Sequence, residues 1–164
     1  MQVRRATPRD ARALVALAVA VGAEPEGWLV ADGSWRSVAD ERRHLRAVRR
    51  STDVCVVVAE DERGIAGRLT IARDPDPACR HVADVGLMVE RRARGQGVGT
   101  ALLAAAEQWA RHVGITKIEL HVFPHNTAAI ALYEGRGYVR EGLRRAHFQR
   151  GRETVDAILM AKLL

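Results

Sequence analysis

Lysine is almost missing from this 164-residue chain: it stands only at Lys117 and Lys162, so nearly all of the 26 basic residues are arginine. The net charge of +6 would suit an anionic partner, yet the arginines are spread along the chain and not gathered in one block. Aromatic residues make up only 4% of the chain, too few for the stacking platforms on which single-stranded nucleic acid is held. A nucleic-acid partner is therefore not expected, and a positive field that draws in a small anionic ligand explains the charge as well. There are two cysteines, Cys55 and Cys79, with no C-x-x-C and no Cys/His spacing. That excludes a disulfide framework and a zinc site of the usual patterns, so no metal is expected, and it places the thiols in a reducing, cytoplasmic compartment. No apolar run approaches the ~20 residues that cross a bilayer, so no membrane association is expected either.

What is present fits one domain spanning residues 1–164, with the 48% hydrophobic and 28% charged residues of an ordinary globular protein. The opening "MQVRRATPRDARALVALAVAVGA" mimics a secretory signal in its basic start and apolar middle. Thr7-Pro8-Arg9-Asp10 argues for a helix start instead, with Thr7 as N-cap, Pro8 at the first helical position and Asp10 in the first turn. That helix runs to about Val21, and "SVADERRHLRAVRR" forms a second, with Leu45 and Val48 inward. Between them lies the loop-like "GAEPEGWLVADGSW", which carries Trp28 and Trp35. Strands are expected at Gln2–Arg5, Asp53–Glu60, Ile65–Arg73, His81–Val89 and Lys117–Phe123, with a closing pair around Arg150-Gly151. Further helices are expected at Val98–His112 and from Asn126, an N-cap, to Gly135. The order β-α-α-β-β-β-α-β-α-β-β predicts a mixed α/β domain: a mostly antiparallel sheet of six to seven strands, about four helices and one βαβ crossover.

One stretch, "VERRARGQGVGTALLAAAEQWARHVG", sets glycines 95, 97 and 99 among arginines at the front of a helix. A helix start leaves its first N–H groups unpaired and carries partial positive charge, so it suits a phosphate, and glycine lets the backbone approach. A flexible loop with a solvated basic face is the plainer alternative. The spacing is not the dinucleotide G-x-G-x-x-G, and the Gly-Lys-Ser/Thr of a P-loop is missing. On the later strand "KIELHVF", Ile118, Leu120 and Val122 share the core face, which puts Glu119, His121 and Phe123 together on the other.

These residues resemble the GNAT superfamily of acetyl-CoA-dependent N-acetyltransferases. The family's Q/R-x-x-G-x-G/A motif stands here as Arg94-Gly95-Gln96-Gly97-Val98-Gly99, and its Asn-capped helix bearing a Tyr before a Gly-aromatic pair stands as Asn126, Tyr133 and Gly137-Tyr138. The second half of the chain looks like the bacterial branch that acts on amino acids and other small amines.

The resemblance implies a GNAT-like fold and acetyl-CoA as co-substrate. Its pyrophosphate would lie on the N–H groups of Arg94, Gly95, Gln96, Gly97, Val98 and Gly99, with the helix start near Thr100. Arg92 and Arg94 would add charge, and a Cβ at Gly97 or Gly99 would push the phosphate away. A bulge in the fourth strand would open the backbone of Leu87, Met88 and Val89 to the pantetheine arm and to the thioester carbonyl. Tyr133 would donate a proton to the departing thiolate. Asn126 is read both as a cap and as a coenzyme ligand. For the base that accepts the amine's proton, His121, Asp84 and Glu119 remain open, His121 standing where the N-terminal acetyltransferases carry a Glu. The partner implied is a small-molecule amine, with protein amines as the alternative and a non-catalytic acyl-CoA-binding module as a third reading. A homodimer is allowed for, dimers being common in the family.

Overall fold

The structure, a computed structural model, describes residues 1–29 and 35–164. The expected loop across residues 22–35 is therefore followed at both ends, while residues 30–34 lie outside the described part.

The chain begins with β1 (Gln2–Arg5), a 3-10 turn at Pro8–Asp10 and α1 (Ala11–Gly22). The turn forms because Asp10 accepts the Thr7 N–H at 2.7 Å while Arg4 clamps the same carboxylate at 2.8 and 2.9 Å. The helix read as starting at Pro8 is thus a 3-10 turn that passes into α1. Ala11, Leu14, Leu17, Ala18 and Val21 are buried on one face of α1, so the apolar stretch serves the core. α2 (Val38–Val48) is capped by Ser37, whose Oγ accepts the Asp40 N–H at 3.1 Å. It buries Leu45 and Val48 as its pattern predicts, and also Glu41, which the pattern does not predict. β2 (Val54–Asp61), β3 (Gly64–Arg73) and β4 (Val82–Val89) follow, then α3 (Val98–His112), β5 (Lys117–Val122), α4 (Thr127–Gly135), β6 (Val139–Arg150) and β7 (Glu153–Leu163).

Among the described residues seven strands form one sheet in the order β1-β2-β3-β4-β5-β7-β6, antiparallel except where β4 meets β5. α3 and α4 cover one face, with Leu69, Ile71, Ala83, Val85, Ile118 and Leu120 of the sheet buried against Leu102, Leu103, Ala106, Ile130 and Tyr133. α1 and α2 cover the other face over β2, around Leu14, Leu45, Val56 and Val58. Removing Leu102, which is fully buried, to Ala is worth about 2–5 kcal/mol on general grounds.

The parallel pair β4–β5 is the feature that makes a site. It lasts for three pairs, Val82↔Lys117, Ala83↔Ile118 and Asp84↔Glu119, and then the strands part. β4 keeps its antiparallel register with β3 unbroken from Ala83 to Val89. The opening therefore comes from the divergence of β5, which stays paired with β7 from Lys117 to Val122, and not from the bulge expected in β4. Besides one shift in β2, between Ala59 and Glu60, the irregularities are two in β6, between Arg140 and Gly142 and between Arg144 and Phe148. In the second, Ala146 takes a left-handed φ of 49° and its N–H is held by Asp156 Oδ1 at 2.7 Å. That kink brings His147 and Phe148 against His121 of β5.

Candidate functional site

The split between β4 and β5 opens a cleft of about 1170 Å³, lined on one side by Val85 to Val89 and on the other by His121, Val122 and Phe123. At one end lie Arg94, Gly95, Gly97, Val98, Gly99 and Thr100, at the other Trp28, Leu29, Trp35, Arg68 and Thr70, and Tyr133, Asn126 and Phe148 also line it.

The glycine end is built from backbone. Gly95 and Gly97 have φ of +72° and +79°, the left-handed region, and a Cβ at either would meet open space. The constraint at these two positions is conformational, and the room in front of them is left for a ligand. Gly97 is the N-cap of α3, and no side chain among the described residues caps that helix, whereas Ser37 and Asn126 cap α2 and α4. Among the described residues, the first N–H groups of α3 thus face the cleft without a protein partner, carrying the positive end of a 15-residue helix. Gly99 has a different reason. Its Cβ would lie 2.7 Å from Leu132 Cδ2, so Gly99 is small to let α4 pack on α3, which corrects the expectation that its Cβ would strike the phosphate.

The arginines also differ from expectation. Arg94 forks onto Glu24 with two bonds of 2.7 Å, and its Nε donates to Val89 O at 3.1 Å. Arg92 pairs with Asp61 at 2.6 Å and with Glu90 at 2.8 Å. Their charge is neutralised locally, and Arg94 acts as a strut between the loop, the end of β4 and residue 24. Gln96 turns its amide away to Arg92 O at 2.7 Å and does not line the cleft.

Along β4 the phase of the backbone can be read from two bonds, Glu90 N–H to Ala66 O and Asp74 N–H to Val82 O, both at 2.9 Å. Even-numbered residues of β4 therefore turn their backbone groups toward β3, and Val85, Leu87 and Val89 turn theirs to the open edge. Leu87 and Val89 can take an extended arm as an added strand; Met88 cannot, and contributes its side chain to the opposite face.

Tyr133, from α4, is buried yet lines this cleft. Burial raises its phenol above the usual value, and the Asp84 carboxylate raises it further, so the hydroxyl keeps its proton and is a donor. Asn126 caps α4, its Oδ1 accepting the Ala129 N–H at 3.1 Å, while its side chain also lines the cleft. His121 is mostly enclosed, stacks on His147 at 5.1 Å and meets Phe148 edge-on at 5.8 Å. Its Nε2 is buried without a partner among the described residues. Burial lowers its pKa below 6.5, with Arg144 and His147 adding to the effect, so it is neutral at pH 7. Asp84 stands 3.7 Å from His121 Nδ1, too far for a hydrogen bond and near enough for a bridging water. Its carboxyl is pushed up to about 6, first by desolvation and then by Glu119 beside it on β5. Asp84 is not among the residues that line the cleft, and its side chain is more than half exposed at the margin.

At the far end, sequence reasoning missed Arg68. Arg68, 3% exposed, projects from β3 beneath α2 and pairs with the fully buried Glu41 at 3.0 Å. Its place among alternating apolar residues offered only a weak signal, since burial of that face depends on α2.

A sequence model of the acetyltransferase (GNAT) family matches residues 23–138. The chain is 35% identical over 111 residues to the L-amino acid N-acetyltransferase AaaT of Escherichia coli, covering 65% of this chain and 67% of that protein. It spans about two thirds of the length of that relative and about half that of two further curated relatives from Bacillus subtilis. Among solved structures it superposes on a GNAT-family acetyltransferase from Streptococcus pneumoniae with a TM-score of 0.90, 30% identity and 99% coverage of both chains. It also superposes on the ribosomal-protein-alanine N-acetyltransferase of Brucella melitensis, with a TM-score of 0.89, 25% identity and 100% coverage of both. With an uncapped helix start, an open strand edge and a buried phenol meeting in one cleft, the chain belongs to the GNAT acetyltransferase family, whose co-substrate is acetyl-CoA.

Proposed function

We propose that this protein moves an acetyl group from acetyl-CoA to the primary amine of a small molecule, an amino acid or related amine, by direct transfer. The observation that carries the reading is the meeting of three groups at the β4–β5 split: the outward N–H groups of Leu87 and Val89, the Tyr133 hydroxyl and the unpartnered Nε2 of His121. In this reading the amides of residues 95–100 hold the diphosphate, and the edge of β4 takes the pantetheine arm. An N–H of that edge then faces the oxygen of the thioester carbonyl.

An alkyl amine with a pKa near 10 arrives as ammonium and must lose a proton before it can attack. His121 and Asp84 supply acceptors at the mouth of the cleft, the histidine neutral at pH 7 and the carboxylate ionised above about pH 6. Tyr133 donates the proton that the departing thiolate takes. The likeness to the L-amino acid N-acetyltransferase supports a small acceptor. The full-length likeness to a ribosomal-protein-alanine N-acetyltransferase keeps a protein N-terminus as the second reading. A cytoplasmic setting and a homodimer belong to the same proposal: Cys55 and Cys79 are both free thiols, and light scattering reads the dimer.

An acetyl-CoA consumption screen over amino acids, polyamines, aminoglycosides and short peptides tests the reading. Turnover with a small amine supports it. Turnover with peptides alone transfers the assignment to the second reading, and no turnover with any amine overturns both.

A further inference from the structure

The cleft has an end that the transfer chemistry does not use. Arg68 Nε donates to Thr70 Oγ1 at 3.2 Å, which lays the guanidinium over Thr70, the partner of Gly86 across the β3–β4 ladder. Gly86 is exposed, and a Cβ there would meet nothing within 4 Å, so the sheet leaves an opening beside that guanidinium. A glycine inside a strand marks a place where another molecule can approach the backbone. Arg36 lies on the same side, its Nε 3.4 Å from Glu41, and both guanidiniums sit over the Trp35 ring at 5.5 and 5.4 Å.

The charges at this end do not cancel. Two arginines face one carboxylate, Glu41, and His44 beside them is kept toward its neutral form by burial and by Arg36. Nor are the donors used up. Among the described residues, Trp35 Nε1 is buried with no hydrogen-bond acceptor, and Arg68 Nη1 meets Glu41 Oε1 at 3.0 Å as an ion pair whose geometry falls short of a hydrogen bond. Buried polar groups left without partners are costly unless something arrives to use them. At the opposite margin stand two carboxylates, Asp84 of β4 and Glu119 of β5; Lys117 lies 3.5 Å from Glu119 and Arg144 faces Asp84, so the negative charge there is partly met.

Resting on the acetyl-transfer reading above, we infer that the Arg68–Arg36–Trp35 end binds a carboxylate of the acceptor, so that the substrate is a zwitterion standing over Gly86. Its carboxylate meets the Arg68 guanidinium and the Trp35 N–H, and its ammonium points to Asp84 and His121. Glu41 holds Arg68 in place without saturating it. A planar fork facing a carboxylate gives direction as well as affinity, so the site orients the amine toward the thioester.

The experiment compares matched acceptors that differ only in the carboxylate: L-phenylalanine, L-methionine and L-leucine against their decarboxylated amines and carboxamides. For the wild-type protein the expected kcat/KM is 10- to 100-fold higher for at least one amino acid than for its matched amine and carboxamide. Calorimetry on protein saturated with coenzyme A should show the same preference in binding. The paired change Arg68→Gln with Glu41→Gln, which leaves no lone buried charge, should collapse that ratio toward one, and Arg36→Gln should lower it partway. Turnover of amines with no carboxylate preference overturns this inference while leaving the acetyl-transfer reading intact. Carboxylate-dependent binding with no turnover does the reverse. An equal loss on all acceptors in both variants, with a lowered melting temperature, would show that the pair only locks α2 to β3, and that also overturns it.

Discussion

The two ends of the cleft offer different parts of the chain to a ligand. At the α3 end the recognising groups belong to the backbone: the amides after Gly95 and Gly97, the uncapped helix start and the outward edge of β4. At the far end they belong to side chains: Trp28, Trp35, Arg68, Thr70, His121 and Phe148. The difference has a chemical logic. A diphosphate and an amide-rich arm can be held by main-chain groups, which no substitution removes except one that alters φ. An acceptor amine is known only by its own substituents, so it must be read by residues that can change. The strongest contrast is in charge. Arg92 and Arg94, the arginines nearest the phosphate loop, are spent on Asp61, Glu90 and Glu24, while Arg68 is only partly matched by Glu41.

The test of largest expected effect lies where the two ends meet. Tyr133→Phe should lower kcat by about 10²-fold or more while leaving the Kd for coenzyme A nearly unchanged, as read by steady-state kinetics and calorimetry. Unchanged turnover would remove the acid from the scheme.

Next in size is the acceptor side. With Asp84 pushed up to about 6, the carboxyl is protonated below that pH and cannot take a proton, so kcat/KM should rise through pH 6 and level above it. The groups facing it are Glu119 and His121 from β5 and Arg144 and His147 from β6. Asp84→Asn should slow turnover about 10-fold or more and remove the acid limb near pH 6. A limb that stays near 6 in this variant would assign it to another group.

Gly97→Ala probes the backbone end. Left-handed φ costs an alanine about 1–2 kcal/mol, so affinity for coenzyme A should fall roughly 10-fold with the acceptor KM little changed. The smallest effect is expected from Arg94→Ala, at most a few-fold on coenzyme affinity, because its charge is already met by Glu24. Glu24→Gln should instead disturb the acceptor KM, since Glu24 also accepts the Trp28 N–H at 2.8 Å. A large loss of coenzyme affinity in Arg94→Ala would erase the distinction between the two ends.

What the sequence made legible follows the same division. α3 runs from Val98 to His112 as read, because Gly97 and the apolar spacing mark it locally, and the Asn126 cap and the in-out alternation of β5 were equally local signals. Motif positions marked Tyr133 and the glycine loop for the same reason, and both line the cleft. Glu41 and Arg68 were not legible as a pair, since they are 27 positions apart and only the seating of α2 over β3 buries both. The ties of residues 24–28 to Arg91, Arg94, His125 and Arg150 join segments from 65 to 123 positions apart, and no local pattern announces them. The bulge at Ala146 carries no glycine to mark it; its conformation is imposed by Asp156 across the hairpin.

The most direct measurement is a co-crystal structure with coenzyme A. The account predicts diphosphate oxygens within hydrogen-bonding distance of main-chain amides among residues 95–100, the pantetheine amides paired to Leu87 and Val89, and the sulfur beside the Tyr133 hydroxyl. A diphosphate held by arginine side chains away from the start of α3, or an arm that leaves the β4 edge untouched, would contradict it.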